Sequence, residues 1–182
     1  RDLDQAAAYS LAQAPEAERS GIRTIFLAAP VDVGARRALS ELEMIWGSPG
    51  DAWAALRDLH PDSASVDAWL EFAKRAEADD DWPIVRDALV AALRWHSDPD
   101  LALRAATAAL NAGDPETALA LVPSAGLDSA RAAATVLPLR IRALAMYGKP
   151  DQAQTLVDAF SHLMSPLQRS APQRDRTRSR WP

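Results

Sequence analysis

The fold class predicted for this chain is all-α, with about ten helices. Apolar residues make up 48% of the 182 residues but aromatic residues only 6%, and Ala and Leu outnumber Val and Ile, a balance that favours helix over strand. Proline and glycine recur at intervals of helical length, which divides the chain into helix-sized pieces. The length suits one domain, or one segment of a repeat, that buries a core without staples, and there is no cysteine to supply them.

The elements follow in order from that punctuation. Asp2 to Ala14 ends at Pro15, Glu16 to Ala29 at Pro30, and Val33 to Trp46 runs into the turn GSPG at 47 to 50. Asp51 to Leu59 ends at His60-Pro61 and is followed by Ser65 to Ala78 and Trp82 to His96. Asp98-Pro99-Asp100 opens Pro99 to Ala112, and Asp114-Pro115-Glu116 opens Asp114 to Val122. In both, an aspartate acceptor at the N-cap precedes a proline whose missing N–H costs nothing at the first helical position. Ser129 to Tyr147 contains Pro138, which is expected to kink or split it, and Pro150 to Met164 closes the series.

A repeat lies beneath these elements. GDPETALAL at 113 to 121 returns as GKPDQAQTL at 148 to 156, 35 residues later. Extending the register upstream places related turns at Gly50 and Asp80, with Ala55, Val85, Ala118 and Ala153 five residues after each turn residue. Counting 11, 8 and 4 residues back gives Leu39, Leu42 and Trp46; Trp69, Phe72 and Ala76; Ala102, Ala105 and Ala109; and Leu137, Arg140 and Leu144.

This pattern resembles the tetratricopeptide repeat, a unit of about 34 residues built as helix, glycine-containing turn and helix. The resemblance covers residues 36 to 164 and is strongest in the unit beginning near Val66, with Trp69, Phe72 and Ala73. The same unit carries Asp80 where the family usually has Gly and Val85 where it usually has Ala. The resemblance implies an α-solenoid of about five antiparallel hairpins. Residues 1–35 would form an N-terminal capping hairpin, 36–166 the repeats and 167–182 a tail. It also implies a ligand groove lined by the first helices, toward which Leu70, Lys74, Leu103, Thr107, Asn111 and Arg142 would point.

Charge separates the tail from the rest. Residues 167–182 hold Arg169, Arg174, Arg176, Arg178 and Arg180 against Asp175, which leaves residues 1–166 with 15 basic and 24 acidic side chains, a net of −9. Such a tail has no core of its own and becomes ordered only when something holds it: the acidic body, a neighbouring subunit or an anionic surface. Another protein subunit is the expected partner, with Trp181 as an anchor beside the arginines. Nucleic acid is disfavoured, because a body at −9 repels phosphate.

Catalytic and metal-binding patterns are missing from the sequence. His60 and His96 stand at predicted helix ends, where the helix dipole favours a histidine, and no histidine pair has the i, i+4 spacing of a helical zinc site. Asp79-Asp80-Asp81 lacks the alternation of a calcium loop and reads as turn and cap, with Asp81 capping the helix from Trp82. The glycines stand in turns with no following Lys-Ser/Thr pair. Trp46, Trp53, Trp69, Trp82 and Trp95 read as interhelix packing; Trp53 and Trp82, near turns, are the ones expected to be exposed.

The sequence therefore points to a non-catalytic scaffold without cofactor, a subunit or assembly factor of a larger complex. The alternatives are a peripheral subunit of a membrane complex, held through its basic tail to lipid or an acidic loop, and a helical enzyme domain of unfamiliar design. Deleting residues 167–182 is expected to leave the helical circular dichroism spectrum unchanged and to abolish co-purification with the partner. Undiminished co-purification would remove the tail from the interface.

Overall fold

The computed structural model describes residues 13–28, 32–60, 62–122 and 130–168, without the side chains of 130–133 and 162–168. The helix expected over Asp2 to Ala14 lies outside the described residues except for its last two, and the tail arginines and Trp181 lie wholly outside them. Among the described residues every regular element is a helix, with no strand. The helices are α1 (Glu16–Ala28), α2 (Val33–Ile45), α3 (Pro49–Arg57), α4 (Ser63–Ala78), α5 (Trp82–Leu93), α6 (Pro99–Asn111), α7 (Pro115–Leu121), α8 (Ala130–Met146) and α9 (Pro150–Gln168). None is long and apolar enough to cross a membrane.

Two compact units divide at Asp114 and Pro115. In the first, each of α1 to α5 packs on the next helix, and alternate helices also meet, α2 with α4 and α3 with α5. In the second, α8 packs against both α7 and α9.

Four helices end in the same way. Gly47, Asp80, Gly113 and Gly148 have φ of 78°, 57°, 77° and 75°. The next residue's N–H reaches five residues back: Ser48 to the Glu43 carbonyl at 2.9 Å, Asp81 to Ala76 at 3.0 Å, Asp114 to Ala109 at 2.8 Å and Lys149 to Leu144 at 2.9 Å. The turn residues' own N–H groups reach three back, to Met44, Glu77, Leu110 and Ala145. This pair of bonds is the Schellman termination, which satisfies helix-end carbonyls and requires a left-handed residue.

The first turn residue is thus Gly47, three residues before the Gly50 of the sequence register. Gly50 lies inside α3, because Pro49 already occupies the first helical position. With Gly47 as origin the turns fall at 47, 80, 113 and 148, and the fifth residue after each, Ala52, Val85, Ala118 or Ala153, is buried.

Helix starts differ in part from expectation. Asp32, Asp62 and Asp98 cap α2, α4 and α6, accepting from the Gly34, Ser65 and Asp100 N–H groups at 2.9, 2.8 and 2.9 Å. The Ser65 N–H bond holds the Asp62 carboxyl below its ordinary pKa, and the cap moves the start of α4 from the expected Ser65 back to Ser63. Asp81 occupies the N-cap of α5 but its side chain makes no cap bond; the backbone bond to Ala76 already fixes the turn. Pro138 does not split α8, which runs through it as one helix, and α9 continues past the expected Met164 to Gln168.

The core of the first unit lies between α3, α4, α5 and α6. Trp53, expected to be exposed, is instead buried: its ring stacks on Phe72 at 5.8 Å between centroids, because it projects from α3 toward α4. The Trp69 indole N–H donates to the Leu56 carbonyl at 2.8 Å, meeting the requirement of a buried indole for an acceptor. Trp82 is half-buried, and Trp95, beyond the end of α5, is exposed. Leu56, Leu89 and Leu110 are almost fully buried, each contributing about 2 kcal/mol of transfer free energy. Ala73, Ala88, Ala92, Ala105 and Ala109 expose nothing, so at these positions only methyl groups fill the space between the helices.

The turn geometry yields two expectations of opposite sign. Asp80→Gly removes a strained left-handed residue and should raise stability by about 0.5–1 kcal/mol, whereas Gly113→Ala should lower it by about 1 kcal/mol. A Cβ at Gly113 meets no atom within 4 Å, so that loss measures conformation and not a clash. Urea denaturation of the two variants checks both signs.

Candidate functional site

The residues expected to line a groove occupy two helices of the first unit and one of the second. Leu70 is half-buried and Lys74 exposed one turn later on α4; Leu103 and Thr107 are half-buried and Asn111 exposed on successive turns of α6. The Thr107 hydroxyl donates to the Leu103 carbonyl at 2.8 Å, which leaves its oxygen as an acceptor beside the methyl. Arg142 is exposed on α8 and belongs to the second unit.

These positions stand 10, 6 and 2 residues before a turn residue. Counted from Gly47, the same positions on α2 are Arg37, Glu41 and Ile45, which the register based on Gly50 did not pick out. The signal was present in the sequence: Gly47-Ser48-Pro49 matches Gly113-Asp114-Pro115 and Gly148-Lys149-Pro150.

The α2 residues bring charge to this stripe, and most of it is internally neutralised. Arg37 pairs with Glu71, and Arg75 pairs with Glu41 at 3.5 Å and with Glu71 at 3.2 Å, while Arg104 of α6 pairs with Glu77 of α4 at 3.1 Å. All these side chains are 40% exposed or more, so each pair contributes no more than about 1 kcal/mol. Their effect is directional, tying α2 to α4 and α4 to α6. Lys74 makes no ion pair among the described residues. The stripe on α4 and α6 thus consists of Leu70, Leu103, Thr107, Asn111 and the ammonium group of Lys74.

Apart from this stripe, an open groove of about 500 Å³ lies between α1, α2 and α3. On one wall the Glu43 carboxylate, 2% exposed, accepts from Arg23 Nε at 2.5 Å and from a second guanidinium nitrogen at 2.8 Å. Arg23 also reaches Glu16 at 2.6 Å and lies 5.3 Å over the Trp46 ring, with Arg19 at 5.4 Å from the same ring. The bonds to Glu43 and then Glu16 push the Arg23 guanidinium above its ordinary pKa. In the sequence Glu43 gave no sign of this role, because its partner lies 20 residues away on another helix.

Among the described residues no three metal-ligating side chains converge, and His60 and His96 are exposed. No protein-family model matches the chain, and no curated protein or solved structure is detectably similar to it.

The Arg23–Glu43 pair is expected to behave as a buried bidentate bridge. Arg23→Met should cost about 3 kcal/mol by leaving a buried carboxylate without a counter-charge, while Arg23→Met combined with Glu43→Leu should recover most of that loss. A double-mutant cycle by chemical denaturation reads the coupling, and additive losses would show that the two residues act independently.

Proposed function

We propose that this chain is a non-catalytic, tetratricopeptide-like α-solenoid scaffold that binds a segment of a partner protein along the stripe of α2, α4 and α6. The observation that carries this reading is the recurrence of one turn at 47, 80, 113 and 148, with a buried residue five positions after each. A repeat of this kind sets equivalent positions of successive helices side by side and builds an extended binding face from them. Leu70 and Leu103 stand at one such position, with Lys74 and Thr107 one turn further on. The partner would lay short apolar side chains over the leucines and bring an acceptor to Lys74. Its larger assembly would engage the five tail arginines through charge-assisted hydrogen bonds.

The tail also favours a second reading, in which the assembly sits at a membrane and the arginines meet anionic lipid. Affinity capture from the native source followed by mass spectrometry separates the two, because the second requires integral membrane proteins among the captured set. With the captured partner in hand, Lys74→Glu together with Leu103→Gln should weaken its binding by roughly tenfold or more, with circular dichroism unchanged. Equal affinity for the wild type and this variant would remove the stripe from the interface.

A further inference from the structure

In the second repeat unit, the residues 11 and 8 before the turn, Trp69 and Phe72, are covered by α3 through the Leu56 carbonyl and the Trp53 ring. One unit earlier the matching positions are Arg36 and Leu39. Where α5 carries Ile84 and Ala91, 4 and 11 residues after the turn, α3 carries Asp51 and Asp58. The counterpart on α2 of the face that α4 turns to α3 thus carries a charge at Arg36, and α3 carries two carboxylates where α5 is apolar. These charges line the open groove between α1, α2 and α3, together with Leu27, Leu39 and Ala54.

We propose that this groove is a second docking site and receives an amphipathic helix of a partner protein, basic along the edge that meets α3 and acidic along the edge that meets α2. The positional equivalence rests on the repeat reading above; the charge argument does not. Asp51 and Asp58 are both exposed and lie seven residues apart, two turns or about 10 Å along α3. Asp51 makes no ion pair among the described residues, and the ion pair of Asp58 is a 3.8 Å contact with its neighbour Arg57. On the opposite wall Arg36 is half-buried without an ion pair among the described residues. Arg23 and Glu43 neutralise each other, so Arg36 on one side and the two aspartates on the other set the polarity of the groove. Leu27, half exposed, and Ala54 supply the apolar surface between them. An incoming helix with Arg or Lys at i and i+7 reaches both aspartates at once, a helix-in-groove arrangement with charge setting its register.

The test is fluorescence anisotropy of the full chain with a labelled, designed alanine–leucine helix. The helix carries Arg at two positions seven apart on one edge and Glu on the other. It should bind, and Asp51→Lys with Asp58→Lys should weaken it about tenfold or more with unchanged circular dichroism. A second helix with Glu in place of both Arg should prefer that variant. No binding of either helix at about 1 mM, or equal binding to both proteins, overturns the proposal. Binding that appears only after residues 169–182 are deleted assigns the groove to the chain's own tail. Self-association abolished by the two lysine substitutions assigns it to a second copy, and either outcome overturns a partner helix. Loss of binding through Lys74→Glu, with the aspartate substitutions silent, overturns this site while leaving the scaffold reading in place.

Discussion

The termination of four helices depends on one residue with positive φ. An L-residue pays roughly 1–2 kcal/mol to adopt that conformation, which is why glycine occupies it at 47, 113 and 148. Aspartate is one of the few side chains that tolerates it, and Asp80 takes the same position with φ of 57°. Once the turn residue is left-handed, the two backbone bonds set the direction in which the chain leaves. At Pro49, Pro115 and Pro150 a ring with φ already near the helical value starts the next helix two residues later. Three consecutive residues thus end one helix and start the next, and a small or β-branched residue that is buried follows five positions after the turn residue.

That locality explains which parts of the fold could be read from the sequence. Helix existence was legible because proline or glycine interrupts the pattern at almost every boundary, and so was the turn at Asp80, despite its lack of glycine, because the spacing required one there. The first turn was misplaced because GSPG contains two glycines, and composition alone does not say which is left-handed. Pro49 resolves it, since a proline at the first helical position makes Gly50 part of the helix. Trp53 was misread for a different reason: proximity to a turn suggested exposure, but the ring lies on the side of α3 that faces Phe72.

The stripe positions come from the family resemblance alone, whereas the charge pairing between α2 and α4 depends on contacts distant in sequence. Arg37 with Glu71 and Glu41 with Arg75 are each 34 residues apart, with the sign reversed between the two pairs. Local helix patterning cannot reveal such a ladder. A repeat of about 33 residues can, once its origin is correct, because equivalent positions of α2 and α4 then become neighbours. The tail arginines cannot be placed by the same route, since they lie beyond the repeating pattern.

Position 43 shows how charge can replace apolar burial in setting a helix. Four residues before the other three turn residues stand Ala76, Ala109 and Leu144, all buried, and four before Gly47 stands a glutamate that is just as buried. A carboxylate there has to be compensated, since an uncompensated buried charge costs several kcal/mol. The compensation comes from α1, a helix that itself contributes no buried residue. Beside the half-buried Ile22 and Phe26, its register on α2 is set by directional contacts: the two bonds of Arg23 to Glu43 and the stacking of Arg19 and Arg23 on Trp46. Hydrophobic burial would tolerate small slides of α1 along α2. A bidentate guanidinium–carboxylate pair tolerates few, because both of its bonds must keep their geometry. The helix can thus be held in register without closing over its neighbour, and the groove alongside Arg23 and Leu27 stays open.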